Sequence, residues 1–204
     1  LGQNLGAEKP ERGSAYPWAA FWLSIAAWVL LLIPWALILP FIFAAIHRTE
    51  DVSDVASLVA MESNYAQILL FGGVFVLVGR GFAQYFFGMH RPGIVTIVTV
   101  IANIVNISAN YILIFGEEGL PGFLPGIPGT PALGLTGAAI GTVIGMFVEA
   151  IGPMVVFLGP AFNRAYQTRA AWRPRWSVIR DLFRLGWPAG MQFGNEIICW
   201  AIFM

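Results

Sequence analysis

Apolar residues in this chain come in long blocks rather than in stripes of helical or strand period. Apolar stretches of at least about 18 residues mark membrane spans, and five are found, at roughly 16–46, 65–87, 93–115, 135–158 and 182–204. Each can cross about 30 Å of hydrocarbon at about 1.5 Å per residue. Lipid offers no partner for unpaired backbone groups, so helices are expected; the alternating polarity of barrel strands does not occur. The fold class expected is therefore an all-α integral membrane protein with five transmembrane helices. Pro34 and Pro40 predict a bent or broken first span, tolerated where neighbours satisfy the carbonyls that the prolines free.

Composition agrees. Of 204 residues, 58% are hydrophobic and 11% charged, against about 45–50% and about 25% in soluble domains. The net charge is zero, which gives no sign of a nucleic-acid partner. A single cysteine, Cys199, rules out an intrachain disulfide and a cysteine-based metal cage. The polar start, Leu1 to Arg12, has no signal-peptide character. A first residue other than Met and an end at Met204 inside an apolar run suggest an interior piece of a longer membrane protein.

Charge sorts sharply if the spans alternate in direction. One face receives Lys9, Arg12, Arg80, Arg91, Arg164, Arg169, Arg173, Arg175, Arg180 and Arg184 against Glu8, Glu11 and Asp181, a net +7. The other holds Arg48 against Glu50, Asp51, Asp54, Glu62, Glu117 and Glu118, a net −5. Basic residues stay cytoplasmic during insertion, so the N-terminal tail and residues 161–181 are expected in the cytoplasm, with the spans in the plasma (inner) membrane. Trp18, Trp22, Trp172, Trp176 and Trp187 suit either interfacial anchoring or simple space-filling. Arg80, inside span two between Gly79 and Gly81, is expected to snorkel to the cytoplasmic interface.

Polar side chains within the spans carry the chemistry. At about 100° per residue, Thr96, Thr99, Asn103, Asn106 and Asn110 form one narrow stripe on span three. Carboxamides facing lipid would cost several kcal/mol, so the stripe must face other helices or water. Two readings stand: interhelical hydrogen bonds worth about 0.6–2 kcal/mol each, or a polar pathway or binding site. Three carboxamides on one face favour the second. Gly137, Gly141 and Gly145 on span four, and Gly186, Gly190 and Gly194 on span five, form ridges that admit a close backbone. Thr142 and Glu149 share a different face of span four. Glu149 lies near mid-membrane, where an ionised carboxylate is costly and usually functional; a protonated, structural Glu149 is the alternative. Gln192, Glu196 and Cys199 share one face of span five, and Glu196 beside a carboxamide has the makings of a proton or cation site.

His47 and His90, both at loop edges, offer no metal site. The Gly- and Pro-rich stretch from Gly116 to Gly134 reads as a structured turn region. Phosphate-cradling loops, paired histidines and Ser/His/Asp sets are absent, so nothing points to an enzyme, ATP-driven pumping or proteolysis.

Several motifs together resemble one family. Asn106-Ile-Ser-Ala-Asn110-Tyr-Ile-Leu-Ile-Phe-Gly116 and Ala132-Leu-Gly-Leu-Thr-Gly-Ala-Ala-Ile-Gly-Thr142 resemble the fifth and sixth helices of multidrug and toxic compound extrusion (MATE) transporters. Arg184-Leu-Gly-Trp-Pro-Ala-Gly-Met-Gln-Phe-Gly-Asn-Glu196 is similar to the seventh helix, and Leu1-Gly-Gln-Asn-Leu-Gly-Ala7 to the loop before the third. Gly79-Arg-Gly-Phe-Ala-Gln84 with Arg91-Pro92 resembles the fourth helix and its following loop.

The resemblance implies a twelve-helix, two-lobe transporter of which the chain holds helices three to seven. Residues 1–160 would belong to the N-terminal lobe, 161–181 to the cytoplasmic interlobe segment, and 182–204 to the first helix of the C-terminal lobe. It implies a first-lobe cation site that uses an acid on the family's first helix, missing here, with polar residues of the fifth and sixth helices at Asn106, Asn110 and Thr142, and a coupling acid of the seventh helix at Glu196. On the helix faces read above, Asn103 adjoins that polar cavity and Gln192 is expected to orient Glu196. Asn110 stands where some branches carry Asp, and Glu149 matches no family motif. The activity expected is secondary antiport of organic cations or amphiphilic drugs against Na+ or H+, without a cofactor and with no metal beyond a Na+ at Glu196. Membrane lipids and a small organic cation or amphiphile would be the partners, and the full-length protein a monomer. A flippase for lipids or lipid-linked oligosaccharides is the runner-up, and a membrane enzyme or scaffold the third choice.

Overall fold

Residues 13–47, 55–119 and 125–203 are described by the computed structural model. The Leu1–Ala7 motif, Glu8, Lys9, Glu11, Arg12, Arg48, Glu50, Asp51 and Asp54 lie outside the described residues. α1 (Ala15–Ala27), a π turn (Trp28–Leu32) and α2 (Ile33–Ile46) follow one another without a break. α3 (Val55–Gly88), α4 (Pro92–Phe115), α5 (Gly134–Leu158), the short α6 (Pro160–Tyr166) and α7 (Trp176–Phe203) complete the chain, with no strand among the described residues.

Four stretches, Ala15–Ile46, α3, α4 and α5, are long and apolar enough to cross a membrane. Their apolar side chains are largely not buried: the most apolar 18 residues of the first have a mean hydropathy of 2.7, and 6% of them lie inside the protein. Such a surface belongs in lipid, and the chain is an integral membrane protein. α7 forms as expected but is less apolar, since Arg180, Asp181, Arg184, Gln192, Asn195 and Glu196 interrupt it. α3 begins at Val55 rather than near Tyr65, and α7 at Trp176 rather than Leu182. Hydropathy reads the thickness of the hydrocarbon, whereas a helix continues through Glu62 or Arg180 into water.

The two prolines of the first span are accommodated differently. Pro34 cannot bond the Leu30 carbonyl, and the preceding π turn absorbs the misfit. Pro40 withholds an amide from the Ala36 carbonyl, and Gln67 of α3 donates its Nε2–H to that oxygen at 2.9 Å. The helix therefore stays continuous because a neighbour completes it.

α5 is the hub, packed along both α3 and α4, which touch each other only slightly. At one end of the bundle Phe82, Tyr85 and Phe86 of α3, Phe157 of α5 and Phe162 of α6 form the core, with Trp18 of α1 against it. The rings meet edge to face, Tyr85 and Phe157 at 5.0 Å. Arg91, Arg164, Arg169 and Arg173 surround this basic end. Trp18 Nε1 donates to the Thr168 carbonyl at 2.7 Å and Trp22 Nε1 to that of Trp172 at 2.9 Å. These two tryptophans are thus struts that hold the connector after α6. Arg169 donates from Nε and Nη2 to the Leu158 carbonyl, at 3.0 and 2.8 Å, closing the end of α5.

The opposite, acidic end is tied by polar bonds. His47 Nε2 lies 2.8 Å from Glu62 Oε2, and Asn64 Nδ2 donates to Thr136 Oγ1 at 3.0 Å. Gly116, at φ 52° where a side chain would strike Thr130, starts a hydrogen-bonded turn in which Glu117 N donates to the Thr130 carbonyl at 2.9 Å.

Candidate functional site

The glycine ridge of α5 and the polar stripe of α4, separate features in the sequence, meet face to face. A Cβ placed on Gly145 would lie 2.7 Å from the Asn106 Cβ, and one on Gly141 would lie 2.2 Å from Asn110 Oδ1. Asn106 Nδ2 donates to the Gly141 carbonyl at 3.1 Å, and Asn110 Nδ2 to Asn106 Oδ1 at 3.3 Å. The missing side chains let the carboxamides lie against a bare backbone. Asn110 Oδ1 is buried without a hydrogen-bond partner.

Toward the basic end the same seam opens. Ala102, Asn103, Asn106, Thr142, Gly145, Met146 and Glu149 line a cavity of about 170 Å³. Asn103 donates from Nδ2 to the Thr99 carbonyl at 2.8 Å, leaving its Oδ1 as the acceptor; Thr142 Oγ1 bonds back to the Ala138 carbonyl at 2.8 Å. Glu149 Oε1 accepts a long hydrogen bond, 3.4 Å, from Thr99 Oγ1. Four residues on, Pro153 withholds the amide that would bond the Glu149 carbonyl within the helix. The Glu149 carboxylate and the Thr99 hydroxyl thus meet at one level, oxygen chemistry of the kind that suits a hard cation.

A second cavity, of about 270 Å³, adjoins the first through Met146 and Glu149. It reaches Thr99 of α4, Pro153 of α5 and Arg80 of α3. Counted from their helix ends, Arg80, Thr99 and Glu149 all lie about 10–14 Å in from the basic end. Two charged side chains on different helices therefore share a layer inside the membrane. The sequence reading treated each alone; their equal depths were the signal that could have joined them.

Glu196 and Gln192 stand apart on α7, both exposed, and line none of the cavities described. The ridge of Gly186, Gly190 and Gly194 faces an open groove of about 700 Å³ against Leu23 and Ala27, with Asn195 rather than Glu196 at its wall. Among the described residues no group of three or more His, Cys, Asp or Glu is placed to hold a metal ion.

The chain resembles known proteins along nearly its whole length. "Probable multidrug resistance protein NorM" of Neisseria meningitidis serogroup A is 26% identical over 96% of this chain and 39% of its own length. Proteins of the same name from Burkholderia mallei and Thermotoga maritima are 29% and 25% identical, over 86% and 92% of this chain. The chain spans about two fifths of the length of these curated relatives. No solved structure gives a significant match. The sequence profile described as MatE covers residues 1–112, through α3 and most of α4 with the first half of the polar seam. With four lipid-facing helices and a polar seam between two of them, that match settles the family: the chain belongs to the MatE, or multidrug and toxic compound extrusion, family of transporters.

Proposed function

We propose that the full-length protein is a secondary antiporter that expels small organic cations or amphiphiles across the inner membrane in exchange for Na+ or H+. The observation that carries this reading is the cavity between α4 and α5, which Asn103, Asn106, Thr142 and Glu149 line together. Glu149 serves as a coupling acid of this half, beside the acid that the resemblance puts on the family's first helix. Its negative charge attracts either the driving cation or a cationic cargo, so that the two compete, and their differential affinity for two arrangements of the lobes makes the exchange. The carboxamides supply neutral oxygens and N–H groups that follow the occupant as its charge comes and goes. Glu196, with Gln192, serves as the acid of the other lobe. The basic end faces the cytoplasm, following the distribution of arginine. Membrane lipids surround the protein, which works as a monomer.

The test is efflux of ethidium from vesicles containing the full-length protein, driven by an imposed Na+ or H+ gradient. Wild type is expected to respond to one gradient, and Glu149→Gln to lose that response while still inserting and folding. If Glu149→Gln keeps gradient-driven efflux and Glu196→Gln abolishes it, the assignment to Glu149 is wrong. If neither gradient drives the wild type, the antiport reading itself fails.

A further inference from the structure

We propose that Arg80 is a tethered counter-ion for Glu149. Its guanidinium neutralises the carboxylate when the site is empty and gives way when the driving cation arrives. The proposal rests on the antiport reading above and adds the residue that sets how tightly the site holds its cation.

Three observations lead there. Arg80 and Glu149 line one cavity of about 270 Å³ yet make no direct ion pair. Arg80 also lines a second cavity, of about 390 Å³, with Tyr16, Gln84 and Leu182 on its side toward the basic end. The side chain thus borders two separate spaces, one containing the carboxylate and one leading away from it. Finally, its backbone is fixed while its side chain is exposed. A Cβ on Gly79 would lie 3.1 Å from the Ala150 Cα, and one on Gly81 would lie 2.9 Å from the Ala20 Cβ. Those glycines wedge α3 against α5 and α1, and the Gly79–Ala150 crossing sets Arg80 and Glu149, each one residue away, beside the same close approach.

The chemistry favours such a partner. A carboxylate at this depth is costly without a neutralising charge, and a fixed positive charge nearby both lowers that cost and weakens the hold on an entering cation. From α4 the group facing Glu149 is the neutral Thr99, and the remaining walls of both cavities are apolar side chains, glycine, carboxamides and Thr142. Among the described lining residues Arg80 is therefore the one other charged group, and its positive charge opposes the entering cation. Removing it tightens cation binding.

The experiment measures ethidium efflux by the full-length protein against the concentration of whichever of Na+ or H+ drives the wild type. An opposite charge a few ångströms away changes a carboxylate's cation affinity by about tenfold or more. Arg80→Gln is accordingly expected to lower the half-saturating concentration at least about tenfold, and Arg80→Lys to leave it within about twofold. Because Arg80→Gln could fail to fold, the charge is also restored chemically in Arg80→Cys, with Cys199 and every other cysteine of the full-length protein replaced by serine. Aminoethyl methanethiosulfonate, which puts back a positive charge, should return the half-saturating concentration toward wild type, while the sulfonatoethyl reagent should not. A half-saturating concentration that is the same with and without the positive charge overturns the proposal. Absence of any cation dependence in the wild type would instead refute the antiport reading on which it rests.

Discussion

Gly141→Ala tests the seam between α4 and α5 most directly. The added methyl carbon would sit 2.2 Å from Asn110 Oδ1 and 2.9 Å from the Asn110 backbone nitrogen. An ordinary contact begins near 3.4 Å, so the two helices must separate locally by about 0.5 Å, because the backbone nitrogen cannot rotate aside as the carboxamide can. Asn106 Nδ2 lies 3.1 Å from the Gly141 carbonyl; a further 0.5 Å or so carries it to the edge of hydrogen-bonding distance or past it. Overpacking costs about 1–3 kcal/mol, and a lost interhelical bond about 0.6–2 kcal/mol. Less the gain of up to about 1 kcal/mol for alanine over glycine in a helix, the expected destabilisation is about 1–4 kcal/mol, read by reversible unfolding of the full-length protein in mixed micelles. Gly93→Ala is the control: nothing lies within 4 Å of a Cβ there, and replacing a helical glycine should be neutral or stabilising by up to about 1 kcal/mol. Should Gly141→Ala be no less stable than Gly93→Ala, the ridge is not the seat of the carboxamides.

Gln67→Leu is expected to cost about 1–2 kcal/mol by stranding the Ala36 carbonyl beneath Pro40; in a Pro40→Ala background, where the helix amide returns, the same change should cost close to nothing, and a double-mutant cycle by unfolding checks the difference. Trp18→Phe keeps most of the ring contact in the basic-end cluster but loses the 2.7 Å bond to the Thr168 carbonyl. Limited proteolysis should then cut residues 167–175 several times faster than in wild type, while an unchanged rate would mean that this bond does not hold the connector.

What the residues determine locally was legible without the structure. Block hydropathy located the helices, since transfer of about 20 apolar residues outweighs any local preference. The three-residue and four-residue spacing of Thr99, Asn103, Asn106 and Asn110 placed them on one face, as helical geometry requires. The need to satisfy the carbonyls below Pro34 and Pro40 followed from covalent structure alone. Which groups satisfy them did not, because Gln67 stands 31 residues from Ala36 in the chain and no periodicity links the two. The same holds for Trp18 and Thr168, 150 residues apart. Glycines at 137, 141 and 145 announced a close approach without naming the helix that makes it, and only packing showed that the occupant is the Asn stripe. Glu149 and Arg80 belong to different helices, and a sequence gives each its depth but not its azimuth toward the other. That azimuth comes from the crossing of α3 and α5 at Gly79 and Ala150, a product of side-chain interlock between distant segments. The composition and spacing of residues thus decided that the chain lives in lipid as helices, whereas tertiary packing decided which polar groups share a cavity, because a polar group in hydrocarbon takes its partner from whichever helix packing brings alongside.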